Sequence, residues 1–381
     1  MLSKKQLGLV LLGILLSFGV YAQPFNFPLN IPSGKQGQFH VQGVAIDKVN
    51  GFVYFSFTDK LVKTDRQGNL IGSVTGLTGH LGDIDLKVDE NKIYGSLEYK
   101  NDAIGKNISN KLGVAEKKDQ VGFYVAIFDA ARIVRPNMDA QKEDLLQTVC
   151  IREAVKDHKD SVIVDGKKLA HRYACSGIDG LTFGPAFGAI KDSKQYLYVA
   201  YGIYGDTTRT DNDHQVILRY DVKDWGRYAR PLSQDDLHTA GPAKPLDKYF
   251  IRTGATNYGI QNLAYDASTG NFFAAVYKGK KSRYPNYDLF MIDGRQKPVK
   301  RTLIPDGEQV KMLALSAAGL KDPATGIRGW RFEWGSTRLC PMGDGKFYIS
   351  HNSKDKDGQQ QTVLHLYQWV GSEEEAFMMY R

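Results

Sequence analysis

The stretch Gln42-Gly43-Val44-Ala45-Ile46-Asp47, followed by Gly51-Phe52-Val53-Tyr54-Phe55-Ser56-Phe57 and Leu61-Val62-Lys63-Thr64-Asp65, decides the fold. Its β-branched and aromatic runs are too short for helices. Val49-Asn50-Gly51 and Arg66-Gln67-Gly68-Asn69 supply the positive φ that tight hairpins require. A fourth run, Leu70 to Val74, completes a four-stranded unit. The unit then recurs. Its opening reappears as Gly82-Asp83-Ile84-Asp85-Leu86, Asp179-Gly180-Leu181-Thr182-Phe183, Gln261-Asn262-Leu263-Ala264-Tyr265-Asp266 and Gly335-Ser336-Thr337-Arg338-Leu339. Its closing reappears as Ala126-Ile127-Phe128-Asp129, Leu218-Arg219-Tyr220-Asp221, Phe290-Met291-Ile292-Asp293 and Leu364-His365-Leu366-Tyr367.

Repetition of a small all-β unit predicts a β-propeller, here five-bladed, because each unit needs its neighbours to bury its faces. No Pro/Ser-rich linker divides residues 23–381, so they read as a single domain. Blade two runs from Leu81 to about Ile151 with a Lys-rich excursion over Asn101 to Gln120. Blade three covers Ile178 to about Arg252, with a polar excursion over Gly205 to His214. Blade four covers Ile260 to about Ile304, and blade five starts near Phe332. Phe25 to Leu29 is the expected closing strand of blade five. Glu308 to Gly329 reads as a partly helical crossover. A sixth, degenerate blade within Lys142 to Tyr173 is the alternative.

Residues 1–22 form a cleavable export signal, with Lys4 and Lys5 before the apolar run Leu7 to Val20 and small residues at Val20-Tyr21-Ala22. The run falls short of a membrane span, so no stable insertion is expected after cleavage, and the mature chain is expected to be periplasmic or secreted. Losing the two lysines takes the formal charge from +8 to +6. The basic residues are scattered and not interleaved with aromatics, which argues against a nucleic-acid partner. A monomer is expected. Of the three cysteines, Cys150 and Cys175 flank the insertion His158 to Tyr173, and a bridge between them would contribute about 3 kcal/mol by loop closure. Cys340 is expected to be a buried free thiol in an inner strand.

In a propeller the inner strands line the axis, and the loops leading into them share one face with the ends of the second strands. Repeat registration therefore gathers His40, His80 and Glu333 with the strand ends Glu98-Tyr99-Lys100, Tyr204 and His351-Asn352-Ser353-Lys354, and with Tyr258. Imidazoles, carboxylates, amines and phenols at equivalent positions make a candidate site. Asp83 and Asp179 face the axis, where an unpaired carboxylate is costly and must meet a cation, a donor or water. With Gln42, Gln261 and Ser336 they would form an oxygen-rich ring suited to Ca²⁺, with a water-filled channel as the alternative. The run Asp206 to Asp213 lacks the Gly and terminal Glu of a calcium loop. No nucleophile elbow, His-Glu-x-x-His, phosphate loop or Cys-x-x-Cys pair occurs.

Across residues 40 to 370 the blade rhythm resembles the five-bladed propellers of secreted glycosidases and of calcium-activated nucleotidases. The glycosidase resemblance implies three carboxylates on the inner strands of consecutive blades. Asp83, Asp179 and Glu333 partly meet that arrangement, while Gln42 stands where the first-blade acid is expected.

The resulting expectation is an exported carbohydrate-active enzyme acting on a polysaccharide or oligosaccharide. As a hydrolase it would use Glu98 and Glu333 with Asp179 in support. As a lyase it would use His40, His80, Tyr258 and Lys100. Tyr99, Tyr204 and Trp334 would offer sugar platforms. The alternative is a non-catalytic propeller that binds a glycan or protein through the same face.

Overall fold

A computed structural model describes residues 27–116, 120–190, 193–303 and 307–381. The export signal at residues 1–22, and Phe25, lie outside them. Five inner strands ring a common axis: Val41–Asp47, His80–Lys87, Cys175–Pro185, Thr256–Asp266 and Leu339–Gly343. Each starts an antiparallel sheet, so the chain is a five-bladed β-propeller. Every blade is sandwiched between two others and buries both faces. This is why Phe52–Phe57 carries large apolar residues at consecutive positions rather than in strict alternation.

The closing Asp of the repeat has a specific job. Asp65, Asp129, Asp221 and Asp293 each accept, through Oδ1, the backbone N–H two residues further on, at 2.9, 3.1, 3.1 and 3.0 Å. These are Asx turns, which end a strand by giving the backbone a local side-chain partner.

Blade edges are covered by strands borrowed from elsewhere in the chain. Met138–Asp139 pairs in parallel with Leu70–Thr75 of blade one, and Arg230–Pro231 pairs with Leu146–Cys150 of blade two. Gln309–Met312 pairs in parallel with Asp247–Arg252 of blade three. Asn30–Pro32 and Phe377–Met379 both pair with Gln360–Trp369 of blade five, joining the two ends of the described chain in one sheet. The outer edges of blades one, two, three and five are covered in this way.

Several expectations are corrected. The closing strand is Asn30–Pro32, not residues 25 to 29. In the fifth opening, Gly335–Thr337 is a 3₁₀ turn and the inner strand begins at Leu339. The segment from Glu308 to Gly329 holds strands rather than helix: Gln309–Met312 extends blade three, and Leu320–Lys321 pairs with Arg328–Gly329 in a separate hairpin. The Lys142 to Tyr173 insertion is no sixth blade: it contains helix Arg152–Lys159 and a hairpin of Ser161–Val164 with Lys167–Ala170. Cys150, Cys175 and Cys340 are all free and buried, so Cys150 and Cys175 are not bridged. The Lys-rich excursion forms a helix, α1, at Ala103–Leu112.

One carboxylate ties the blades together at the axis. Asp83 of blade two is fully buried, and its Oδ1 accepts from Arg338 Nη1 of blade five at 2.7 Å. Its Oδ2 accepts from the N–H groups of Leu181 in blade three and Leu263 in blade four, at 3.0 and 3.1 Å. Asn262 adds blade one, donating through Nδ2 to the carbonyls of Gln42 and Ser336 at 3.3 and 2.9 Å. Arg338 holds φ at 140°, a costly backbone for a residue with a side chain. Its guanidinium, also bonded to the Leu263 carbonyl, keeps it there.

Removing one partner of a buried ion pair leaves the other charge uncompensated. Arg338→Met is expected to destabilise the fold by about 3–5 kcal/mol, read as a lower denaturant midpoint at unchanged slope. Wild-type stability in this variant would show that the axial pair contributes nothing.

Candidate functional site

A cavity of about 380 Å³ opens at one end of the axis. Its walls include His40, Gln42, His80, Glu98, Lys100, Asp179, Tyr258, Gln261 and Tyr277. Local backbone irregularity aims several of them. The inner strands of blades one to four each carry a register shift, between Val41 and Gly43, Leu81 and Ile84, Ile178 and Leu181, and Ile260 and Asn262. Gln42, Asp83, Asp179 and Gln261 fall inside these shifts. Bulges re-aim side chains in this way near sites.

Glu98 ends the second strand of blade two and is buried. Its Oε1 accepts from the Ile178 N–H at 2.5 Å, and its Oε2 lies 2.8 Å from Lys100 Nζ and 3.7 Å from His80 Nδ1. Gly177 permits this approach, since a Cβ there would fall 1.8 Å from Oε1. Burial alone would raise the Glu98 carboxyl, but Lys100 and His80 outweigh it and hold it below the usual range. Lys100 in turn donates to the Ser176 carbonyl at 3.0 Å.

Asp179 behaves in the opposite way. Burial pushes its carboxyl up to about 7 and the Glu98 charge adds to the rise, against the pull of His80 and Lys100. Two neighbouring carboxyls are thus split, one ionised and one titrating near neutrality. Burial lowers the His40 ring to about 4, helped by His80, Lys111 and Lys354, so it is a neutral imidazole. Its Nε2 lies 3.3 Å from Gln42 Nε2.

Tyr258 stands at the rim, half-exposed, with a left-handed backbone (φ 64°). Gly259 beside it is required, since a Cβ there would meet the Tyr201 carbonyl at 2.4 Å. The Tyr258 ring meets Tyr277 edge-on at 6.0 Å.

Other expected site residues lie elsewhere. Glu333 is exposed and, with Trp334, lines a separate surface pocket beside the C-terminal residues. Glu98 and Glu333 are therefore not brought together as an acid pair. His351 stacks on Trp334 at 3.9 Å and contacts the Tyr367 hydroxyl at 2.8 Å, with Asn352 next to it, outside the axial walls. Tyr99 is buried in the core of blade two and donates to Gln234 at 2.9 Å, so it offers no face to the axial cavity. Tyr204 supports the site from behind, donating to Asp102 at 2.9 Å.

The expected calcium ring does not assemble as read. Both Asp83 oxygens are taken by Arg338 and backbone N–H groups, because the axis closes too tightly to leave that carboxylate exposed. Gln42 and Gln261 turn their amide nitrogens to Thr58 and the Tyr258 carbonyl, and Ser336 meets Tyr277. Among the described residues no group of three or more His, Cys, Asp or Glu side chains is placed to hold a metal ion. In the Gly205 to His214 excursion the cation is the Lys281 ammonium, bonded to the Arg209 carbonyl, Asn212 and Asp213 at 2.6, 2.6 and 2.5 Å.

Sequence reasoning missed Arg338, Lys111 and Tyr277. Arg338 had a signal: it is the single basic residue in the five repeat openings. Lys111 sits in the Lys-rich excursion, where no pattern distinguished it.

No family profile matches the sequence, and no curated protein does. Solved structures similar to this chain include the β-propeller domain of Myceliophteria thermophila Cps50 (Swd1), 9% identical over 90% of this chain and 73% of that one, TM-score 0.34. A Bacteroides caccae protein of unknown function is 9% identical over 74% and 83%, TM-score 0.28. A GH43 β-1,3-galactosidase with galactodeoxynojirimycin is 11% identical over 92% and 98%, TM-score 0.42.

The raised Asp179 carboxyl predicts a stability signature. The unfolded chain releases this proton near 3.8 and the folded chain near 7, so folding is penalised increasingly from about pH 4 to 7 and uniformly above. Asp179→Asn is expected to raise stability at pH 8 by about 1–4 kcal/mol, with the advantage fading towards pH 4. A gap that does not depend on pH would refute the shift.

Proposed function

We propose that this chain is an exported carbohydrate-active enzyme that cleaves a saccharide in the axial cavity by paired acid–base action. One observation carries the reading. Asp179, a carboxyl raised into the neutral range, faces the same cavity as His80, an imidazole backed by the ionised Glu98. Enzymes that move protons at both ends of a bond need a proton donor and a proton acceptor facing one substrate.

His80 has Glu98 behind Nδ1, which leaves Nε2 to take a proton from the substrate. Asp179 delivers a proton to the leaving oxygen. Tyr258 and Tyr277 give aromatic surface to a sugar face. The cavity falls within the usual ~300–1,000 Å³ of small-molecule sites. The export signal read at residues 1–22 supports a substrate met outside the cytoplasm.

The test is release of new chain ends from a panel of polysaccharides. Asp179→Asn and His80→Gln are each expected to lower kcat by about 10²–10⁴-fold while leaving a folded protein. Binding without any product would make the chain a glycan-binding propeller and end the enzymatic reading.

The acid role also fixes the sign of the pH dependence. The rate needs Asp179 protonated, so kcat/KM is expected to fall as pH rises through about 7. A rate flat from pH 6 to 9 would remove Asp179 from the reaction.

A further inference from the structure

The rim of the axial cavity carries charge that the acid–base pair does not use. Lys111 of helix α1 and Lys354, at the end of the second strand of blade five, both line the cavity. Among the described residues neither makes a salt bridge to an acidic side chain, whereas Lys100 is neutralised by Glu98 at 2.8 Å. These two ammonium groups leave the rim of the cavity electropositive.

Lys111 is held in place rather than waving in solvent. Its ammonium sits over the Phe39 ring, 5.3 Å from the centroid. The helix that carries it is docked at its start by Asp102, which accepts from the N–H groups of Ile104 and Gly105 at 3.0 Å each. The other Asp102 oxygen takes the Tyr204 hydroxyl. A Cβ on Gly105 would lie 1.8 Å from the Lys100 carbonyl oxygen, so the helix is pressed against the strand end that holds Glu98. Both lysines line the cavity together with His40, and their charges help to lower its ring.

We propose that the cavity takes an acidic saccharide, with the sugar carboxylate held between Lys111 and Lys354, and that cleavage is a β-elimination. The inference rests on the acid–base reading above and names its substrate. A cation pair at a carboxylate lowers the cost of carbanion character on the adjacent carbon. His80 takes the proton from that carbon, and the freed electron pair forms a carbon–carbon double bond. The neighbouring carbon–oxygen bond breaks, and the leaving oxygen accepts the Asp179 proton. No water is consumed, and nothing is oxidised or reduced.

The experiment is calorimetric titration of the Asp179→Asn protein, which binds without turnover, with a uronate oligosaccharide, a sulfated one and a neutral one of equal length. The uronate is expected to bind best and to weaken with added salt. Adding Lys111→Gln and Lys354→Gln is expected to cost about tenfold or more in that affinity, with the melting temperature unchanged. In parallel, the wild-type product from the uronate chain is expected to absorb in the ultraviolet and to carry no oxygen from labelled water.

Equal binding of the neutral sugar, untouched by the lysine changes, overturns the acidic substrate while the saccharide reading stands. Preference for the sulfated sugar, or label in the product, overturns the elimination. Failure of all three sugars to bind overturns both proposals.

Discussion

The ion pair between Asp83 and Arg338 is the constraint on which the rest of the propeller depends. Five blades meeting at an axis bring polar strand backbone from every direction into a space too narrow for solvent. A single carboxylate has enough acceptor capacity to receive donors from several strands at once. Asp83 takes the guanidinium from blade five and N–H groups from blades three and four. The desolvation of two charges opposes this arrangement. What it provides is a fixed angular relation between blades two, three, four and five. The strained backbone of Arg338 marks the same point, because a backbone held at φ 140° persists only where its surroundings demand it.

That fixed relation makes the site above it possible. Glu98 and Asp179 come from neighbouring blades and lie close enough for the Glu98 charge to raise the Asp179 carboxyl. If the blades rotated slightly, Ile178 could no longer donate to Glu98 and the Lys100 ammonium could not reach the Ser176 carbonyl. The protonated acid costs stability at neutral pH, and the axial bonds beneath it offset that cost. Sites that hold a titrating group away from its ordinary range commonly depend on such support.

Much of this was legible in the sequence. The closing Asp of four of the five repeats was visible as a signature, and its meaning, an Asx turn, follows from the residues after it. His40, His80, Glu98, Lys100, Asp179 and Tyr258 were picked from repeat registration, and all six line one cavity. Registration worked for them because strand ends and inner strands hold their positions whatever the loops do. It failed for Glu333, whose neighbours fold into a 3₁₀ turn in place of the expected strand, so that blade five starts late. It failed for Tyr99 because one step along a strand turns a side chain to the opposite face.

The amino-acid sequence by itself determined the repeat, the five blades and the polar character of the axial end, since these follow from local periodicity and turn chemistry. Only the tertiary structure decided which charges meet. Asp83 and Asp179 look alike as acids in an inner-strand opening. Burial raises both carboxyls to about 7, but Asp83 meets Arg338 and backbone donors and becomes a structural tie, while Asp179 meets an open cavity. Bulges of one or two residues and closure of the ring set that difference. Both are properties of strands from distant parts of the chain packed against one another, which no local pattern records.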